Sequence, residues 1–110
     1  MRIFYCGDIV ARPGREVVLK NLAKIRADYK ADVIIANVEN AAHGFGVTPG
    51  ICRDFLEKGA DVLVTGNHFL NQRDILPYLN DCKVIIRPAN IPAENPGRGF
   101  TIFELADGRR

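Results

Sequence analysis

Polar side chains that could bind metals or transfer protons follow three short apolar segments of this sequence. Asp8 follows the first segment, Glu39 and Asn40 follow the second, and Asn67 and His68 follow the third. Carboxylates and the Asn carbonyl are ligands for hard divalent cations. Glu39 could bridge two cations at the ~3.5–4 Å separation of two-metal sites. An imidazole titrates near neutral pH, so His68 could act as a general acid or contact a phosphate.

Each of these residues also has a simpler explanation. Asp8 could cap a turn, Glu39 could be a solvated loop acid, and Asn67 could be a turn residue after Gly66. A single histidine is more often packed or solvated than catalytic. The repetition at three segment ends is what favours a functional site.

The hydrophobic pattern around these residues predicts alternating strands and helices. We expect helices over 16–29, 49–59 and 74–79, the second capped by Thr48 with Pro49 in its first turn. Residues 12–15 are predicted to form a turn and 87–99 an irregular connection. Strands are expected over 2–6, 33–38, 61–65, 83–86 and 100–105, the first of them buried on both faces. The predicted fold is α/β, with a mostly parallel sheet and flanking helices. Such sheets bind ligands at the carboxyl ends of their strands, where the polar residues stand.

Composition limits the classes of protein that remain. The chain has 110 residues, 47% of them hydrophobic, and a net charge of +2. This length predicts one domain, and the small charge argues against stable nucleic-acid or membrane partners. We expect a cytoplasmic protein, because no apolar run approaches the ~18 residues of a membrane helix and no signal peptide is recognisable. The three cysteines match no zinc spacing or disulfide framework, so we expect buried thiols.

Two other site types fit the sequence poorly. The segment from Gly44 to Gly50 has the spacing G-x-G-x-x-x-G, one residue longer than a dinucleotide fingerprint, and it contains Pro49. The chain contains no serine, and no neighbour pattern would activate its cysteines for nucleophilic catalysis. His43 lies in the same loop and is expected to be solvated.

Several blocks of the sequence resemble the calcineurin-like metallophosphoesterases. The resemblance is narrower for the bacterial YmdB-type 2′,3′-cyclic-nucleotide phosphodiesterases, and it extends from Met1 to about Leu105. Gly-Asn-His is common to the superfamily, whereas the Glu-Asn-Ala-Ala and Arg-Pro-Ala-Asn blocks are specific to the subfamily. The matching segments are 7–10, 13–15, 36–42, 66–68, 87–92 and 96–99.

The resemblance implies a fold, an activity and a set of site residues. It implies a dinuclear iron or manganese centre in which Asp8 binds one metal, Glu39 bridges both and Asn67 binds the second. Asn40 would lie near the metals or the substrate phosphate, and His68 would contact the phosphate or protonate the leaving oxygen. The implied reaction is attack of a metal-bound hydroxide on a phosphodiester or cyclic nucleotide. The implied fold is the N-terminal half of a four-layer α/β/β/α domain.

This sequence departs from the family pattern in several places. Ala11 stands where glycine is usual, and Leu70 and Asn71 stand where the family often has Trp and Asp. Family members are about twice as long or longer, and their second half supplies further metal-binding histidines. Without those histidines, the remaining donor atoms are all oxygens. We therefore expect weak binding of Mg²⁺ or Mn²⁺ and little or no activity for this chain alone.

Three interpretations of residues 1–110 therefore remain open. We expect a single partial domain that ends after a hairpin turn at residues 107–108. It could be the N-terminal half of a phosphodiesterase, a non-catalytic fragment or subunit that needs a completing chain, or a small flavodoxin-like binding module. An unpaired strand over 100–105 would favour a homo-oligomer or a completing chain.

Overall fold

Four strands and three helices alternate in the computed structural model, which describes all 110 residues. Their order is β1 (Ile3–Cys6), α1 (Ala11–Tyr29), β2 (Val33–Asn37), α2 (Pro49–Lys58), β3 (Val62–Val64), α3 (Ile75–Asp81) and β4 (Ile85–Ile86). The strands form one sheet in the order β1-β2-β3-β4, and every neighbouring pair is parallel. The predicted α/β class with a parallel sheet is therefore confirmed.

The helices pack on one face of this sheet. Adjacent parallel strands joined by right-handed crossovers place their helices on the same side. Alternate strand residues on that side share one hydrophobic core with buried residues of all three helices. The strands contribute Ile34, Ala36, Leu63 and Ile85, and the helices contribute Leu22, Cys52, Phe55, Ile75 and Leu79.

The opposite face of the sheet is also apolar but only partly covered. Ile3 and Tyr5 of β1 remain 58% and 55% exposed, so the prediction that this strand is buried on both faces was wrong. Thr101 and Phe103 of the C-terminal segment border a groove over this face. Residues 100–105 form no strand, contrary to the prediction. Thr101 and Phe103 lie over the face of the sheet instead of pairing with one of its edges, while Phe100 and Ile102 remain exposed.

Both ends of α2 match their sequence signals. The backbone N–H of Ile51 donates to Thr48 Oγ1 at 3.3 Å, and Pro49 stands in the first turn. Gly59 ends the helix with φ of 114°, a left-handed conformation that glycine adopts without strain.

Helix α1 begins at Ala11, so the predicted turn over 12–15 is in fact its first turn. The Gly14 N–H already donates to the Val10 carbonyl at 3.2 Å. Pro13 is tolerated because the first N–H groups of a helix have no intrahelical acceptor.

Arg87 organises the irregular segment that follows β4. Its side chain is buried, with only 5% of the residue exposed. The guanidinium donates at 3.1–3.4 Å to five backbone carbonyls, those of Pro88, Ile91, Pro92, Asn95 and Pro96. These bonds explain why a segment without helix or strand holds a defined path.

All three cysteines are free, but only Cys52 is buried, whereas Cys6 and Cys82 are half-buried. The expectation of three buried thiols was therefore wrong for two of them. None of the three helices combines the length and the apolar content that crossing a lipid bilayer requires.

Candidate active site

The carboxyl ends of β1, β2 and β3 carry the residues singled out from the sequence. Asp8 lies two residues beyond β1, Glu39 lies two residues beyond β2, and Asn67 lies three residues beyond β3. These strands are neighbours and run in the same direction, so their ends meet at one rim of the sheet. Asp8 and Asn67 are exposed, while Glu39 is half-buried.

Asn40 connects the end of β2 to the end of β1. Its side-chain Nδ2 donates to Asp8 Oδ1 at 2.7 Å. Its backbone carbonyl accepts from the N–H groups of Ala11 and Gly44 at 2.9 and 3.1 Å, which fixes the position of the residue. Asn40 Oδ1 is buried and has no hydrogen-bond partner in the protein. A buried carbonyl oxygen without a donor is costly, and a cation would satisfy it.

Glu39 connects the end of β2 to the end of β3. The N–H of Glu39 donates to Asn37 Oδ1 at 3.0 Å, which ties the residue to the last position of β2. A Cβ added at Gly66 would lie only 1.8 Å from Glu39 Oε2. The Glu39 carboxylate therefore rests directly on the Gly66 backbone, one residue before Asn67. Residue 66 must be glycine for the carboxylate to take this position.

His68 is held by two side chains from different loops. Its Nδ1 lies 3.3 Å from Asn71 Oδ1. Its ring meets the ring of Phe45 edge to face, with centroids 5.1 Å apart and planes at 77°. An amide oxygen can only accept, so this contact favours a hydrogen on Nδ1. Nε2 has no hydrogen-bond partner within the protein and can face a ligand.

These residues fit a divalent cation of the hard type. The candidate ligand atoms are all oxygens, from two carboxylates and the side-chain carbonyls of Asn40 and Asn67, and oxygen donors suit Mg²⁺ or Mn²⁺. The unpartnered Asn40 Oδ1 is the observation that favours a bound cation. The rim is an open edge of the sheet, since no closed cavity includes Asp8, Glu39 or Asn67.

His43, which the sequence predicted to be solvated, is exposed and has a φ of 53°.

Sequence reasoning missed several residues that shape this site. The packing role of Gly66 and the contacts of Phe45 and Asn71 with His68 were not anticipated. The glycine of the Gly-Asn-His block was a signal for the close contact with Glu39. Phe45 between Gly44 and Gly46 was a signal for an aromatic side chain in the loop after β2.

Comparison with known proteins identifies the family. A sequence profile of the YmdB-like proteins matches residues 4–110. The 2′,3′-cyclic-nucleotide 2′-phosphodiesterase of Bacillus subtilis is 41% identical over 109 residues, which cover 99% of this chain and 41% of that protein. A Mycoplasma pneumoniae protein, provisionally named a phosphatase/phosphodiesterase, is 31% identical over 109 residues, covering 96% and 39% of the two chains. This chain belongs to the YmdB-like protein family.

Solved structures show the same fold. A Thermus thermophilus protein of unassigned function superposes with a TM-score of 0.88 at 36% identity, over 96% of this chain and 41% of that one. A phosphatase from Mycoplasma pneumoniae superposes with a TM-score of 0.86 at 31% identity, over 94% and 38%. The predicted metallophosphoesterase-type fold is therefore confirmed. The chain spans about two fifths of the length of the curated relatives it matches.

Proposed function

We propose that residues 1–110 supply part of a metal-dependent phosphodiesterase site, namely the residues at the carboxyl ends of β1, β2 and β3. The proposed substrates are phosphodiesters, with cyclic nucleotides as the class. The observation that carries this proposal is the Asp8–Asn40 contact, with the Asn40 carbonyl oxygen left buried and unpartnered beside it. The family is one of enzymes whose named members are phosphodiesterases or phosphatases. We also propose the cytoplasm as its location.

Asp8, Glu39 and Asn67 would hold two divalent cations, with Glu39 shared between them. Iron or manganese is the family expectation, and the all-oxygen set of this chain suits Mg²⁺ or Mn²⁺. When bound, the cations would supply a nucleophile at neutral pH and neutralise charge on the phosphate. Asn40 would orient Asp8 through its Nδ2 and present its Oδ1 to a cation or to the substrate.

His68 would act on the substrate side. With Nδ1 held by Asn71, its Nε2 can donate a hydrogen bond to a phosphate oxygen or a proton to the leaving oxygen. Hydrolysis by residues 1–110 alone would be slow or undetectable, since two cations need more donors than three side chains provide. A second chain, either another copy or a completing partner, could supply them. Turnover of 2′,3′-cyclic AMP that Asp8→Ala and Asn67→Ala abolish would contradict this expectation of low activity.

A ³¹P NMR experiment tests the proposed site without requiring turnover. Mn²⁺ is added to the protein, and the ³¹P linewidth of 2′,3′-cyclic AMP is recorded as the protein concentration rises. We expect protein-dependent broadening in the natural sequence and its loss in Asp8→Ala. Asp54→Ala is the matched control, because Asp54 is an exposed carboxylate on α2. Equal broadening of the ³¹P signal by Asp8→Ala and Asp54→Ala would overturn the proposal.

A further inference from the structure

The loop between β2 and α2 is held firmly against the segment that carries His68. Within the loop, the N–H of Phe45 donates to the Ala42 carbonyl and the N–H of Ala42 to the Gly46 carbonyl, both at 2.9 Å. From the other segment, Gln72 Nε2 donates to the Phe45 carbonyl at 2.9 Å. The backbone of Phe45 is therefore fixed on both its N–H and its carbonyl side.

Gly46 allows this close approach. A Cβ added there would lie 2.9 Å from the His68 carbonyl oxygen, and its φ of 73° is left-handed. Both features restrict the position to glycine. The loop and the His68 segment thus form one surface beside the ends of β2 and β3.

The ring of Phe45 projects from this surface and remains 56% exposed. Single exposed apolar side chains are ordinary on protein surfaces. Phe45 differs because its backbone is pinned at the rim and its ring touches the imidazole of His68 at a centroid distance of 5.1 Å. An exposed aromatic ring with a fixed backbone can bind a planar ligand with little loss of conformational freedom.

We propose that the exposed ring of Phe45 stacks on the nucleobase of the substrate while the phosphate lies at the rim beside His68. The inference rests on the proposed function, which places a phosphate there. Aromatic side chains bind bases through their π-faces, and every base has one. Stacking on a π-face does not depend on which donors and acceptors the edge of the base presents. The site should therefore accept different bases and favour purines for their larger stacking area.

NMR titration with two ligands tests this inference. The first is 2′,3′-cyclic AMP, and the second is the matching methyl riboside 2,3-cyclic phosphate, which lacks a base. Both are added in Mg²⁺ to the natural sequence and to Phe45→Leu, Phe45→Tyr and Phe100→Leu. Phe100 is the matched control, since it is another exposed phenylalanine, at 76%.

We expect the Phe45 ring signals to move upfield with the adenine ligand and to stay in place with the baseless one. Phe45→Leu should bind 2′,3′-cyclic AMP about tenfold more weakly and the baseless ligand equally well. Phe45→Tyr should retain the affinity for both, as should Phe100→Leu. If the baseless ligand binds and Phe45→Leu binds 2′,3′-cyclic AMP as tightly as the natural sequence does, the stacking proposal is overturned while the proposed function stands. Failure of both ligands to bind the natural sequence would overturn the proposed function, and stacking with it.

Discussion

Nδ2 of Asn40 donates to Oδ1 of Asp8 at 2.7 Å, joining residues 32 positions apart in the sequence. The bond turns the Asp8 carboxylate toward the end of β2. It also leaves the Asn40 carbonyl oxygen buried without a donor. If Asp8 binds a cation as proposed, Asn40 would both orient that ligand and keep a free oxygen beside it.

Replacing Asn40 should weaken cation binding. Asn40→Ala removes the donor to Asp8, and we expect the Mn²⁺ affinity to fall by about tenfold or more. Asn40→Asp places a second carboxylate against Asp8 and tests whether charge can replace the hydrogen bond. Isothermal titration calorimetry with Mn²⁺ measures both, and Asn21→Ala on the exposed face of α1 is the control. An unchanged affinity in Asn40→Ala would contradict the role assigned to this bond.

The contact between Glu39 and Gly66 predicts that one added methyl group at residue 66 weakens cation binding. In Gly66→Ala, the new Cβ would fall 1.8 Å from Glu39 Oε2, so the carboxylate must move. We expect at least tenfold weaker Mn²⁺ binding, with little change in stability because the displaced atoms are the end of a flexible side chain. Gly7→Ala is the matched control at the same rim, where an added Cβ meets nothing within 4 Å. Mn²⁺ binding by Gly66→Ala that equals that of Gly7→Ala would show that the carboxylate is not needed there.

Arg87 should be essential for the 88–99 segment. Arg87→Leu removes a donor from five backbone carbonyls. Those of Ile91, Asn95 and Pro96 then have none, since only the Pro88 and Pro92 carbonyls also accept from backbone N–H groups. We expect a loss of about 3 kcal/mol in the free energy of unfolding, measured by urea denaturation. Hydrogen exchange should rise first at residues 88–98. Arg98→Leu is the comparison, since the Arg98 side chain makes one such bond, to the Asn80 carbonyl, and it should cost less. An equal loss in the free energy of unfolding for Arg87→Leu and Arg98→Leu would contradict the role assigned to Arg87.

Burial of Cys52 predicts a loss of stability at alkaline pH. Burial raises the pKa of its thiol from 9.0 to about 12. Above pH 9 the unfolded chain releases this proton while the folded chain keeps it, so the free energy of unfolding falls as pH rises. The slope should approach about 1.4 kcal/mol per pH unit. Urea denaturation between pH 8 and pH 10 measures it, and Cys52→Ala should be less stable at pH 8 but show a shallower decline. Parallel declines in the two proteins would contradict this account.

Local sequence signals predicted the parts of the fold that depend on a few adjacent residues. Thr48, Pro49 and Gly59 marked the ends of α2 because caps are local chemistry. The strand ends were found because apolar runs stop at Gly-Asp, Glu-Asn and Gly-Asn-His, which places Asp8 and Asn67 on one rim.

Features that depend on distant contacts were not predictable in the same way. The 100–105 segment has the alternation of a strand, yet Phe103 packs over the open face of the sheet, and no local pattern separates these outcomes. The Asp8–Asn40 bond and the Glu39–Gly66 contact each join separate loops, so they emerge only when the strands assemble.

Titration of the protein with Mn²⁺, followed by the EPR signal of the free ion, tests the central claim most directly. The account predicts weak but saturable binding by the natural sequence. Glu39→Gln should reduce the affinity at least tenfold, because a neutral amide replaces the carboxylate that rests on Gly66. Glu57→Gln, which changes an exposed carboxylate on α2, should leave it unchanged. Equal Mn²⁺ affinities in the natural sequence and Glu39→Gln would contradict a metal site at the ends of β1, β2 and β3.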